Sequence, residues 1–134
     1  MSTPLNMQQH RQATVLTLIH PIRADRIDQL REALQCLRQE ELSVIRETLS
    51  IYALQWIMFD NNTRLLFAIH IEGAIETVFH HFATAGAETC RQIWGNCIGY
   101  PDGERHTVDA IIAYLSTGQV PTTAYFPRRD AQHH

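Results

Sequence analysis

Apolar residues recur along this chain with two periods, and the switches between them mark out its elements. The run ATVLTLIHP is β-branched and apolar and stops at Pro21, which predicts a strand. In RADRIDQLREALQCLRQEE, residues Ile27, Leu30, Ala33, Leu34 and Leu37 fall at helical spacing with a charged opposite face, which predicts an amphipathic helix. Residues 41–49 fit either a continuation of that helix or a loop. The period returns to two in SIYALQWIMFDNNTRLLFAIHIEG, two strands around a two-residue Asn61–Asn62 turn, because Asn tolerates the positive φ of a tight hairpin. Helical spacing resumes at Ile75, Val78, Phe79 and Phe82. Gly86 divides this stretch in two, and Gly95 and Gly99 supply stops. After a YPDG turn, TVDAIIAYLSTG predicts a short helix capped by Thr107. VPTTAYFP predicts an edge strand bounded by Pro121 and Pro127.

The order is that of a ferredoxin-like βαββαβ fold of the α+β class, with one extra short helix. A single domain is expected over residues 14–127, with a flexible polar N-terminal arm at 1–13 and a C-terminal tail at 128–134. The closing His133 and His134 are left out of every site. There is no internal repeat and no low-complexity segment.

A two-residue turn at Asn61–Asn62 sets the hairpin register, pairing Ala53 with His70, Gln55 with Ala68 and Ile57 with Leu66. Alternation then gathers Tyr52, Leu54, Trp56, Met58, Leu65, Phe67 and Ile69 on one large apolar face, suited to a helical cover. The opposite face carries Ala53, Gln55, Ile57, Leu66, Ala68 and His70. It is too apolar to be left in water, since uncovered sheet faces usually alternate to polar. A second subunit would cover it and predicts a homodimer, and a cavity between two such faces would suit a small apolar or aromatic ligand.

Composition narrows the chemistry. Apolar residues make up 45% of the 134 residues, as in ordinary globular proteins. A net charge of −3 with scattered arginines lacks the clustered basic surface that nucleic acid requires. All eleven basic residues are Arg, so neither a Schiff-base lysine nor a Walker-type phosphate loop is available. Three Cys with no C-x-x-C pair point to free thiols in a reducing, cytoplasmic setting. The N-terminal residues hold no signal-peptide core, and no apolar run has the length of a membrane span.

The strand LLFA (Leu65–Ala68), the pair Glu72–Gly73 and the later motif Ile93, Trp94, Cys97, Gly99, Tyr100 and Pro101 resemble a little-characterised bacterial domain with an IWxxCxGYP pattern. With the element order, they also resemble the dimeric α+β barrel superfamily. In that superfamily two ferredoxin-like subunits close their sheets around a cavity. It includes small monooxygenases, haem-degrading enzymes, chlorite-dismutase-like proteins and dye-decolourising peroxidases. The resemblance implies a homodimer and an oxidative or isomerising reaction, and leaves the cofactor unknown, haem included. His80 and His81 stand where the domain's pattern has acidic residues, and His70 where it has Asn, so no catalytic role is carried over.

Among single positions, His70 is the candidate catalytic residue: an imidazole on an otherwise apolar face suits acid–base work or a ligand hydrogen bond. The bland reading of His70 is a hydrogen bond across a dimer interface. Gln55 is the polar anchor, and Ala53, Ile57, Leu66 and Ala68 are the ligand-binding wall. Cys97 reads as a packed thiol, because the C-terminal end of a helix raises a thiol pKa, and Cys36 as a helix thiol outside any site. His80 and His81, on the flanks of the apolar stripe, read as partly exposed surface residues, with an axial haem ligand as the sharper alternative. A zinc site from His70, His80, His81, Cys90 and Cys97 lacks the short spacings of such sites, so no metal is expected. The alternative to a ligand-binding enzyme is a non-catalytic accessory module that docks its open sheet face on a partner protein.

Overall fold

The β2–β3 hairpin organises the sheet. In the computed structural model, which describes residues 13–124 and 126, β2 (Ser50–Phe59) and β3 (Arg64–Glu72) run antiparallel, with Ala53 opposite His70 and Phe59 opposite Arg64. The register is the expected one, yet the turn is longer. Asp60, Asn61 and Asn62 all take left-handed φ values of 57–61°, a conformation that Asn and Asp tolerate better than other non-glycine residues. Thr63 closes the loop with its backbone N–H and hydroxyl on the Asp60 carbonyl, at 3.1 and 2.6 Å.

Strand β1 (Ala13–Pro21) pairs antiparallel with β3, and β4 (Gln119–Val120) pairs antiparallel with β1, giving the order β2-β3-β1-β4. This is the ferredoxin-like α+β arrangement. β4 is two residues long, where an edge strand was expected through 127; Pro121 carries no backbone donor and ends the pairing. The expected N-terminal arm and C-terminal tail lie outside the described residues, Ala13 apart.

Among the described residues five α-helices accompany the sheet: α1 (Ile27–Gln35), α2 (Gln39–Thr48), α3 (Ile75–Ala83), α4 (Ala87–Trp94) and α5 (Val108–Thr117). The amphipathic segment predicted as one helix is therefore two, preceded by a 3-10 turn at Ala24–Arg26. The break is set by α2 starting afresh at Arg38, whose backbone N–H donates to the Glu41 carboxylate at 2.8 Å. Thr107 caps α5 as expected, accepting from the Ala110 N–H at 3.2 Å. Among the described residues, no helix is long and apolar enough to cross a membrane.

The core lies between the helices and one face of the sheet. Leu16 and Leu18 of β1 and Leu65, Phe67, Ile69 and Ile71 of β3 are all at most 1% exposed. Trp94, 0% exposed, is the centre of an aromatic cluster, with ring centroids 5.2 Å from Phe67, 5.2 Å from Phe82 and 6.0 Å from Trp56. Edge-on contacts of this kind add to the area buried.

Two details correct the sequence reading. A β-bulge lies between Ile51 and Ala53: Ile51 pairs with Ile71 and Ala53 with His70, leaving Tyr52 without a partner. Tyr52 thereby leaves the core face on which alternation put it. It is 60% exposed, and its ring lies 4.9 Å from His70. His81 is wholly buried, although a helical wheel places it on a flank. A wheel with one apolar face assumes one packed side, whereas α3 packs against β1, α4 and α5 at once. His80 stays exposed.

Candidate functional site

The sheet face away from the helices carries every residue proposed for the ligand site. Three cross-strand rungs build it: Ala53–His70–Val15, Gln55–Ala68–Thr17 and Ile57–Leu66–Ile19. Val120 of β4 extends the middle rung beyond Thr17. Side chains on one face of a sheet repeat every second residue, so these positions point the same way. Ala53, Gln55 and Ile57 are exposed, while Leu66, Ala68 and His70 are half-buried between their neighbours. Among the rung residues only Thr17, Gln55 and His70 are polar.

The β2 and β3 parts of this face are legible in the sequence and the β1 part is not. The alternation of Val15, Thr17 and Ile19 is visible in the sequence, but its pairing partner is not. Nor is the place of Tyr52, which the bulge brings against His70. The result is an aromatic ring and an imidazole side by side at one end of an apolar face, an arrangement that can stack a planar molecule and offer it a hydrogen bond.

The IWGNCIGYP stretch does a different job. Cys97 pairs with Ile22 as an antiparallel bridge, the Arg23 N–H donates to the Asn96 carbonyl at 3.0 Å, and the Ile98 N–H donates to the Pro21 carbonyl at 2.9 Å. The motif thus ties the end of α4 to the end of β1. Gly99, at φ 89°, supplies the left-handed residue that turns the chain away. Beneath it the Tyr100 hydroxyl reaches His106 Nε2 at 2.9 Å and Cys90 Sγ at 3.5 Å. Burial pushes the thiols of Cys90 and Cys97 up to about 12, which leaves them neutral and poor nucleophiles at physiological pH.

Cys90 and Cys97 are at most 1% exposed, whereas Cys36 lies open at the end of α1. One thiol of the three is expected to react quickly with a water-soluble disulfide reagent in the native protein, and all three in denaturant. Fast native labelling of Cys97 would contradict its burial and make it a candidate nucleophile.

Among the described residues, His20 and His81 are the two buried imidazoles, 2% and 0% exposed. His20 Nε2 lies 3.1 Å from the Tyr114 carbonyl, so the neutral tautomer with the proton on Nε2 fits, and the ring stacks on Tyr114 at 4.6 Å. Its Nδ1 and both nitrogens of His81 lack hydrogen-bond partners. Desolvation holds both imidazoles below their ordinary pKa. Gly86 packs directly on the His81 ring, where a Cβ would come within 2.6 Å of Nε2. An axial haem ligand needs an open space on its free nitrogen, whereas His81 is wholly buried with Gly86 against its Nε2; this site does not fit a haem. No group of three or more His, Cys, Asp or Glu among the described residues is arranged to hold a metal ion.

No family model matches the sequence, and no curated protein matches it. Among solved structures, one similar chain is a Nitrosomonas europaea protein provisionally named an antibiotic biosynthesis monooxygenase. It is 16% identical with a TM-score of 0.48, and the match covers 66% of this chain and 82% of that one.

Proposed function

We propose that two copies of this chain pack their open sheet faces together, as in the dimeric α+β barrels the sequence resembles, and bind a small apolar or aromatic molecule between them. One observation carries the reading: a three-rung sheet face on which Val15, Ile19, Ile57 and Leu66 stand uncovered by any helix. Contiguous apolar surface of this kind marks an interaction site. A two-fold axis would let the same patch serve both partners.

Within the enclosed space, Ala53, Ile57, Leu66 and Ala68 form the apolar wall and Gln55 anchors a polar group of the ligand. His70, beside Tyr52, exchanges a proton with the bound molecule or hydrogen-bonds to it. An imidazole suits that task because its ordinary pKa lies near neutrality. The reaction class in this reading is an oxidation or an isomerisation of the bound compound.

Light scattering tests the assembly. The expected mass is twice the 15.4 kDa of one chain, and Leu66→Arg is expected to return it to a single chain by burying a charge in the interface. A wild-type mass of one chain would overturn the dimer and favour docking on a different partner. For the site, the apolar dye anilinonaphthalene sulfonate serves as probe. His70→Ala is expected to weaken its binding by about 1–3 kcal/mol if the imidazole donates directly to the sulfonate. His80→Ala is expected to leave binding unchanged, since His80 lies on the surface of α3. Equal binding by wild type and His70→Ala would remove His70 from the site.

A further inference from the structure

A concavity lies on the helical side of the molecule, away from the open sheet face. It is a groove of about 920 Å³ between α1, the end of α4 and the turn from Gly95 to Asp102. It stands independently of whether two sheets pair. Three arginines from separate segments line it: Arg23 from the loop after β1, Arg26 from the 3-10 turn and Arg91 from α4.

The arginines are not equivalent. Arg91 is occupied by Glu88, its Nε donating to the carboxylate at 3.1 Å. Arg23 makes only an exposed contact with Asp25 at 3.4 Å. Arg26 is held in a different way. Its Nε donates to Asn96 Oδ1 at 3.0 Å. Asn96 is 3% exposed and locked in turn, with Nδ2 donating to the Gln92 and Ile93 carbonyls at 2.9 and 3.3 Å. This fixes the plane of the guanidinium while both of its Nη groups have no protein partner among the described residues. The Asn96 carbonyl also takes the Arg23 N–H, so one buried residue anchors both cationic segments.

The acidic residues of the groove set what can bind. Glu41 is committed to the Arg38 N–H. Glu32 follows Arg26 by six residues, about 9 Å along the helix at 1.5 Å per residue. Asp102 belongs to the far wall and attracts Arg91. Two free carboxylates repel a polyanion, so nucleic acids and polyphosphates do not suit the groove. A compact anionic head does, because a guanidinium with both outer nitrogens open matches two oxygens of a carboxylate or a phosphate.

We infer that this groove binds a small molecule through a single carboxylate or phosphate group, held by Arg26 with Arg23 beside it. Amide chemical shifts of the full chain would be followed during titration with inorganic phosphate and, separately, with acetate, at constant ionic strength. Saturable shifts at Arg23, Arg26 and Asn96 are expected with at least one probe, and the probe that saturates identifies the head group. Arg26→Gln should weaken that binding roughly tenfold or more, about 1.4 kcal/mol. Arg46→Gln, on the exposed side of α2 and outside the groove, should leave it unchanged. Non-saturating shifts with both probes, undiminished binding by Arg26→Gln, or an equal loss in Arg46→Gln would each overturn the assignment.

Discussion

Replacing Trp94 with alanine is expected to lower the free energy of unfolding by about 3–5 kcal/mol, the range for deleting a large buried aromatic side chain. Trp94 is 0% exposed and touches Phe67 and Phe82 edge-on, with Trp56 and His20 at the margin. Four elements contribute those rings, so no single segment can move in to fill the space. The indole nitrogen has no hydrogen-bond partner, and the loss is therefore one of packing and desolvated area. Urea unfolding would measure it. Ile98→Ala is the control, because Ile98 belongs to the same motif but is 54% exposed; its cost should stay within about 0.5 kcal/mol. A Trp94→Ala loss no greater than that of Ile98→Ala would mean that the aromatic cluster is not the centre of the core.

Acid should weaken this fold well before its carboxylates titrate. His20 and His81 are buried and neutral, with folded pKa values below the ordinary 6.5. As pH falls below that value, the unfolded chain takes up a proton on each imidazole that the native state declines. More protons on the unfolded state means that stability drops with falling pH. The slope approaches about 1.4 kcal/mol per pH unit for each histidine, so about 2.7 kcal/mol per unit for both. It ends once pH passes below their depressed native values. Denaturant midpoints between about pH 7 and 5 would reveal it. His81→Phe keeps a planar ring in an apolar site next to Phe82 and should remove about half of the slope. A flat profile across that interval would show that both imidazoles accept a proton in the native state, and half of the slope that one of them does.

The residues that report their position most directly are those with strict alternation. Leu65, Phe67 and Ile69 against Leu66, Ala68 and His70 leave one consistent register around the Asn pair, and the longer turn preserves it because Phe59 still faces Arg64. Features made by single insertions or by distant neighbours are not written in such a pattern. The bulge at Tyr52 shifts one residue without altering composition. The burial of His81 comes from packing around α3 that a single-faced wheel does not show, with Gly86 of the following turn directly on the imidazole. The break after α1 involves neither glycine nor proline. The groove at Arg26 assembles residues 70 apart in sequence, and its key contact, guanidinium to Asn96, follows from no local rule.

The place of β1 between β3 and β4 has a consequence for synthesis. Its first residue, Ala13, pairs with Glu72, 59 positions later, and its other edge meets Val120. A chain growing from its N-terminus therefore releases ATVLTLIHP, apolar on both sides, long before either neighbour exists. Until β3 emerges, that segment is an unsatisfied strand of high aggregation tendency. The β2–β3 hairpin closes locally and quickly, then must capture the waiting strand across the intervening α1 and α2. Slow translation before β3 would prolong the interval in which residues 13–21 stand open to holding chaperones.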